Sequence, residues 1–504
     1  MMIGRLTQRA SCALRIEARR CKSTAPLTST QLPNLKRGDY SSLTDADVQH
    51  FERLLGAGGV LRDETDIAPY NTDWMSWYRG RSRCVLLPRT VEEVSAVMKH
   101  CFDRRLAVVP QSGNTGLVGA SVPVFDEIVV SMRRLNKRFD FDPIPGILQC
   151  DAGLVLEELD TRLGEFGYMM PLDLGAKGSC LIGGNVATGA GGVRLLRYGS
   201  LHAHVLALEV VLPDKDGTVL ECGPALRKDN TGFHESHLFI GSEGQLGLIT
   251  QVAMTAVPKP NSVQVAMLGC DSFLDCCKVL GDAKRLLGEI LSSFEMMDSE
   301  TMRCLKENHG RHNVLSTPAA FNLLIETSGS SQEHDQAKLN KFLESCLEKG
   351  LAVDGVLATS VEQANTFWAL RENATLALMD DGYVFKHDIS LPLKHYYRLT
   401  EAVRERVGSL AKRVITYGHV GDGNTHLNVT ASEFSQELYD RLYPFVYEWT
   451  TQHGGSISAE HGVGLLKKRY MPLGKSPAHL AQYGRLKRFY DPRLILNPYK
   501  MLTM

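Results

Sequence analysis

Three glycine-rich segments constrain this chain more than any other feature of it. The first, Pro110-Gln-Ser-Gly-Asn-Thr-Gly-Leu-Val-Gly119, follows a run that reads as a strand ending at proline. Glycine lets backbone N–H groups approach a phosphate closely, because it tolerates dihedrals that a Cβ forbids. The pattern is neither G-x-G-x-x-G nor a P-loop, and alone it reads equally as an ordinary turn. The second is denser: Pro171-Leu-Asp-Leu-Gly-Ala-Lys-Gly-Ser179 runs into Ile182-Gly-Gly-Asn-Val-Ala-Thr-Gly-Ala-Gly-Gly192. So many small residues suit a chain laid flat against a large planar ligand and its pyrophosphate. A free loop would not also carry Leu172, Leu174, Leu181, Ile182 and Val186. The third, Phe239-Ile-Gly-Ser-Glu-Gly-Gln-Leu-Gly-Leu-Ile-Thr250, ends in a strand.

Periodicity around these segments predicts an α+β fold. Residues 44–60 read as a capped helix, and 90–104 as a helix with Thr90 as N-cap. Strands are expected at 85–88, 106–110, 127–131, 146–151, 206–212 and 218–222, the last two joined by the polar turn Pro213–Gly217. The composition changes around Pro258–Pro260. Beyond it, strands (263–268, 321–326) alternate with long helices (272–287, 332–349).

The 56 basic and 57 acidic residues leave a formal charge of -1. No global field exists to hold a nucleic acid or an anionic membrane. No uninterrupted apolar run is long enough to span a bilayer. Twelve cysteines are scattered without a Cys-x-x-Cys pair, so they read as reduced, mostly buried thiols. Only the N-terminus departs from charge balance: Arg5, Arg9, Arg15, Arg19, Arg20 and Lys22 face the single acid Glu17. On a helix, Ile3, Leu6, Ala10, Ala13 and Leu14 share one face with the arginines opposite. This pattern reads as a transit peptide over 1–24, addressed to the mitochondrial matrix; the plainer reading is a basic tail. Residues 23–40 read as a linker.

The C-terminal third carries candidate chemistry. Tyr417-Gly-His-Val-Gly-Asp-Gly-Asn-Thr-His-Leu-Asn-Val429 sets His419 and His426 on either side of a tight Asp-Gly turn, so a hairpin bend can bring both imidazoles to one point. Ser458-Ala-Glu-His-Gly-Val-Gly464 adds Glu460 and His461. Two neutral imidazoles and a carboxylate are a common set for a divalent metal, and residue types alone leave a metal or a catalytic site open. Arg371 and Thr375 sit four apart on one helix face, and Lys386 lies within an apolar strand. Together they could hold a carboxylate. The plainer reading is a salt bridge and an edge-strand lysine.

In this order and spacing, the three glycine-rich segments resemble the FAD-binding domain of the p-cresol methylhydroxylase/vanillyl-alcohol oxidase superfamily, over roughly residues 80–260. The resemblance implies a two-part α+β domain binding FAD. By it, Pro110, Ser112, Gly113, Asn114, Thr115 and Gly116 hold the pyrophosphate with Gly178, Ser179, Gly183, Gly184, Asn185, Thr188 and Gly191. Pro171, Glu243 and Asn497 join this cofactor set, and Ile249 meets the adenine end through its backbone. Some members bond their flavin to a histidine in the first loop; none stands there, so a dissociable FAD is expected. Members often carry Asn where this chain has Gly189.

The C-terminal motifs resemble the FAD-linked oxidase C-terminal domain of D-lactate and D-2-hydroxyglutarate dehydrogenases. The likeness to the latter group runs from about Tyr70 to Lys500, through Tyr70-Asn-Thr-Asp-Trp74, Met170–Cys180, Leu226-Arg-Lys-Asp-Asn-Thr-Gly232 and Leu496-Asn-Pro-Tyr-Lys500. It implies that His419, His426 and Glu460 bind zinc or a similar divalent ion. It implies that Arg371, Thr375 and Lys386 hold substrate carboxylates. Asn428 and His461 would face the hydroxy-acid end, with His461 taking the hydroxyl proton. The implied layout is an FAD-binding domain over 44–260, an α+β substrate-binding cap over 261–455 and a closing segment over 456–504. The implied substrate is a D-2-hydroxy dicarboxylate, D-2-hydroxyglutarate, oxidised to 2-oxoglutarate; the alternative is D-lactate or a broader range of D-2-hydroxy acids. The implied electron acceptor is an electron-transferring flavoprotein, since no second redox motif appears. A zinc hydrolase would lack the flavin, and a flavin-binding scaffold would lack the reaction.

Overall fold

The structure, a computed structural model, describes residues 25–504; the proposed transit segment, with Cys12 and Cys21, lies outside them. The first sheet comprises β1 (Val60–Leu61), β2 (Val85–Leu86), β3 (Val108–Gln111) and β4 (Ile128–Ser131) in the order β1-β2-β4-β3. β4 runs parallel to both β2 and β3, while β1 pairs antiparallel with β2. Helix Val91–Arg104 starts where expected, with the Thr90 side chain accepting from Glu93 N–H. The first helix is shorter than expected: Thr44 and Asp47 close a capping box, but the helix ends at Leu55 against Gly56, whose φ is +67°. The chain then turns into β1.

The second sheet holds β5 (Phe139–Asp142), β6 (Ile147–Asp151), β8 (Val205–Val211), β9 (Val219–Cys222) and β10 (Leu248–Thr255), in the antiparallel order β5-β6-β10-β8-β9. A short β7 (Tyr168–Met169) pairs with β11 (Val257–Pro258) beside it. The polar turn between β8 and β9 forms because Asp214 accepts from the N–H groups of Asp216 and Thr218, with Gly217 at φ +61°.

The third sheet has seven strands: β12 (Ser262–Cys270), β13 (Leu291–Asp298), β14 (Phe321–Gly329), β15 (Asp354–Leu357), β16 (Tyr383–Ser390), β17 (Arg413–His419) and β18 (Asn424–Ala431). Their order is β15-β12-β14-β13-β17-β18-β16. Residue alternation assigns its faces. Phe294, Met296, Phe385, Ile389, Leu427 and Val429 point to one side, which helices Phe273–Leu286, Gln332–Glu348, Arg398–Val407 and Gln436–Gln452 cover. Met297, Val384, Ile415 and Tyr417 point to the other, where helix Val361–Met379 packs through Phe367, Trp368, Leu370 and Ala374.

The last residues return to the first sheet. Val108 N–H donates to Ile495 O at 2.8 Å, and Asn497 N–H donates back to Val108 O at 2.7 Å. The buried pair Lys487–Asp491, at 2.7 Å, locks this return, since Asp491 also accepts from Ile495 and Leu496 N–H. All ten described cysteines are free, and nine are buried. Among the described residues no helix is long and apolar enough to cross a membrane.

Candidate active site

The site grows out of strand register. In the antiparallel ladders Glu295 is paired with His419, Tyr417 with His426, His426 with Asp388, and Asn428 with Lys386. Directly paired residues project from the same face. Four neighbouring strands thus present Glu295, Tyr417, His419, His426, Asn428, Lys386 and Asp388 together, on the face over which helix Val361–Met379 sets Arg371 and Thr375.

The expected hairpin is β17–β18, and its imidazoles meet: the rings of His419 and His426 are 5.4 Å apart by centroid. His461 stacks on His426 at 5.6 Å. The three rings converge on one atom, Glu460 Oε1, which lies 3.8 Å from His419 Nε2, 3.6 Å from His426 Nε2 and 3.8 Å from His461 Nε2. Donors bonded at about 2.0–2.2 Å to a shared ion sit about 3–4 Å apart, and each imidazole stands at that distance from Glu460 Oε1; the donor atoms that all lie within 4.8 Å of one another belong to Asp388, His426, Glu460 and His461, without His419. The electrostatics suit ligation at Glu460 and His426, whereas the neighbouring acids keep the His419 ring protonated. Burial would raise Glu460, but the surrounding imidazoles hold its carboxyl at about 2. Burial holds His426 down at about 3, which leaves its ring neutral and able to ligate.

Two acids that the motifs did not single out organise this cluster. Glu295 is buried; its Oε1 meets His419 Nδ1 at 2.7 Å, and its Oε2 accepts from Arg371 Nε at 2.8 Å. Burial would push Glu295 up, but His419 and Arg371 hold it at about 2. Burial would lower His419, but Glu295 and Glu460 carry it up to about 10. Asp388 brings its oxygens into a group with His426, Glu460 and His461 whose donor atoms all lie within 4.8 Å of one another. Its oxygens are already occupied, however, by Asn424 Nδ2 at 2.9 Å and by the N–H groups of Ala459, Glu460 and His461. A carboxylate in apolar Leu291–Asp298, and one two residues from Lys386, were the signals that could have found them.

The residues expected to hold substrate carboxylates are brought to the same face. Arg371 does form a salt bridge, though to β13 rather than along its helix, and it stacks over the Tyr417 ring at 4.8 Å. Its terminal nitrogens have no hydrogen-bond partner among the described residues. Thr375 Oγ1 meets Tyr417 Oη at 2.6 Å. Lys386 stands on the edge strand β16, and its ammonium has no ion-pair partner among the described residues; burial lowers it to about 8. It lines a pocket with Trp77, Leu117, Val118, Asp388, His461 and Lys467. Asn428 Nδ2 donates to His426 O at 3.1 Å.

The glycine-rich segments pack edge to edge. A methyl at Gly113 would sit 2.4 Å from Ser179 O, one at Gly183 2.5 Å from Ala152 Cβ, and one at Gly184 2.7 Å from Ser112 Cβ. Gly116 faces open space, with nothing within 4 Å. Residues 182–188 form a short helix rather than a flat strip, closed by Gly189 in the left-handed conformation. Asn tolerates that conformation too, so the asparagine that the resemblance leads one to expect at Gly189 would fit the same backbone. The buried Asn185 Oδ1 has no hydrogen-bond partner among the described residues. Such a cradle, with close backbone approach, open glycine faces and an unspent buried acceptor, fits a dinucleotide.

Other expected cofactor residues have their side chains occupied. Asn114 Nδ2 donates to Pro69 O and Thr72 O. Thr188 Oγ1 bonds back to Gly184 O. Ile249 lies buried in β10, opposite Val210. Glu243 accepts from Val463 and Gly464 N–H, and Asn497 donates to Ala120 O and Glu243 O. Gly191 and Gly192 link cradle and cluster: Gly192 N–H donates to Glu460 Oε2 at 2.9 Å.

Comparison with known proteins follows the same division. Residues 82–223 match the family described as FAD binding domain, and residues 259–501 match FAD linked oxidases, C-terminal domain. The class is therefore that of FAD-linked oxidases, and the expected α+β fold holds. Among solved structures, p-cresol methylhydroxylase with substrate bound superimposes with a TM-score of 0.72 over 90% of this chain and 96% of that one, at 17% identity, a likeness of fold alone. Among curated proteins, the chain is 50% identical over 465 residues to "D-2-hydroxyglutarate dehydrogenase, mitochondrial" of Arabidopsis thaliana, covering 92% of this chain and 82% of that protein. It is also 50% identical over 479 residues to the protein of that name from Rattus norvegicus, covering 94% and 88%. The chain belongs to the D-2-hydroxyglutarate dehydrogenase family of FAD-linked oxidases.

Proposed function

We infer that the chain oxidises D-2-hydroxyglutarate to 2-oxoglutarate, as an FAD-dependent dehydrogenase of mitochondria. The observation that carries this reading is the convergence of three imidazoles on Glu460 Oε1 beside two cationic side chains and the glycine cradle. FAD, when bound, supplies a hydride acceptor, and a divalent ion supplies a Lewis acid for the substrate hydroxyl. Residues 110–119 and 178–192 would hold the first; His419, His426 and Glu460 would hold the second.

The protein's own residues then do three things. Arg371, with its terminal nitrogens unspent, and Lys386 take the substrate carboxylates, with Thr375 beside them. Asn428 orients the hydroxy-acid end. His461 takes the hydroxyl proton, a task an imidazole is well suited to as a general base. Trp77, Leu117 and Val118 keep the pocket wall apolar. Two cations suit a dicarboxylate, whereas D-lactate would leave one unused. The transit-like N-terminus supports import to the matrix, and the resemblance supports an electron-transferring flavoprotein as acceptor.

The test is an anaerobic absorbance spectrum of the purified protein with D-2-hydroxyglutarate, D-lactate and their L-isomers added in turn. Bleaching of an oxidised flavin band by D-2-hydroxyglutarate alone is expected. Bleaching by D-lactate instead would move the substrate, and no flavin band would end the proposal.

A further inference from the structure

Glu460 and His461 lie on a segment with no regular secondary structure, between Ile457 and Leu465. Such a segment has no ladder to satisfy its N–H groups, and buried ones must find acceptors elsewhere. Here two buried carboxylates supply them. Asp388 Oδ2 accepts from Ala459 N at 3.2 Å, Glu460 N at 3.1 Å and His461 N at 2.9 Å. Glu243 Oε1 accepts from Val463 N at 2.6 Å, and its Oε2 from Gly464 N at 2.7 Å. Five of six consecutive amides are thus held by two side chains from different parts of the fold. Asp388 comes from β16; Glu243 comes from the loop before β10, on the cradle side.

The surrounding sequence fits this grip. A methyl at Gly462 would lie 2.7 Å from Glu243 Oε1, and one at Gly464 2.3 Å from Val118 O; both residues have positive φ. The glycines of Glu460-His-Gly-Val-Gly464 therefore make room for a carboxylate and a neighbouring backbone, not for a ligand. Glu243 itself sits at φ +52°, unusual for a residue with a side chain. Asn497 fixes that backbone by donating to Glu243 O at 2.8 Å. Behind Asp388, the buried Lys467 donates to Asp388 O at 2.9 Å and to Ser458 Oγ at 3.0 Å.

We propose that Glu243 is a positioning residue rather than a cofactor ligand: with Asp388 it clamps the backbone that carries Glu460 and His461, and so sets their place relative to the cradle. This rests on the activity proposed above. The resemblance, by contrast, sets Glu243 among the flavin-binding residues.

Hydrogen–deuterium exchange on the wild-type holoenzyme tests the clamp directly. The amides of 459–461 and 463–464 are expected to exchange as slowly as those of β16 and β18; loop-like exchange would overturn the proposal whatever the substrate. The second arm is Glu243→Gln, followed by anaerobic flavin reduction by D-2-hydroxyglutarate per bound flavin. Expected are an unchanged flavin spectrum and FAD content, faster exchange confined to the 463–464 amides, and a rate lowered at least tenfold with KM within threefold. An unchanged rate per flavin means a merely structural contact, and a shifted spectrum or lost FAD means a cofactor ligand; either overturns the proposal. A wild-type protein not reduced by D-2-hydroxyglutarate would refute the activity instead, and the exchange arm would still decide the clamp.

Discussion

Glu295→Gln is the most informative perturbation, because one buried carboxylate serves both the arginine and a candidate metal ligand. Its carboxyl is held at about 2 rather than its ordinary 4.5, which corresponds to about 3 kcal/mol of native-state stabilisation at neutral pH. The sign follows from a depressed value. The contribution is complete above the unfolded carboxyl's pKa of roughly 4.3 and disappears as pH falls through about 2. Glutamine keeps the shape but removes the charge and one acceptor, leaving Arg371 and His419 facing each other with no anion between them. Breaking a buried pair in this way costs about 3–5 kcal/mol, in keeping with that figure. At roughly 2–4 °C per kcal/mol for a domain of this size, Tm should fall by roughly 6–12 °C. Glu295 also holds His419 Nδ1, which leaves Nε2 turned to Glu460. Losing such a support weakens metal binding by about 10–100-fold. Calorimetry of the metal-free protein between pH 6 and 8, with zinc titration by equilibrium dialysis, measures both effects. A Tm within 2 °C of wild type and an unchanged zinc affinity would refute the reasoning: Glu295 would then neither stabilise the face nor orient His419.

His426→Ala removes a neutral ring from the donor cluster; metal content and turnover should both fall to background while the flavin absorbance stays. Activity surviving without metal would end the Lewis-acid role. Lys386 at about 8 gives a pH signature: a lysine lowered by burial loses its charge as pH rises through that value, so kcat/KM for D-2-hydroxyglutarate should decline above about pH 8. Lys386→Arg should move this limb out of range, since a guanidinium stays protonated, and an alkaline limb unmoved by that substitution assigns it to another group.

Much of this architecture is legible in the residues because local rules decide it. Thr90 caps its helix, Asp214 shapes the β8–β9 turn, and the Asp-Gly bend folds β17 onto β18 as its spacing requires. Helix 45–55 stops early because Gly56 ends it, which apolar periodicity alone does not reveal. The candidate site is legible where a motif is dense, as around His419, His426 and Glu460. It is not legible where a partner lies far along the chain. Glu295 reaches His419 across 124 positions, and Glu243 reaches Val463 across 220. Nothing near either acid in sequence says what it will face; only strand order and register do.

That long-range dependence bears on how the site is built. The seven-stranded sheet sets Lys386, His419 and His426 on one face, beneath Arg371 of helix Val361–Met379, but it cannot place Glu460 and His461, which lie on a loop. Their backbone is held from both sides, by Asp388 of the same sheet and by Glu243 of the cradle, while Gly192 N–H reaches Glu460 Oε2 directly. An error in how the two halves meet would therefore move the carboxylate and His461 together, leaving the other imidazoles where the sheet puts them. A substitution at that junction, such as Gly192→Ala, whose methyl would meet Asp173 O at 2.2 Å, should disturb Glu460 before it disturbs His419 or His426.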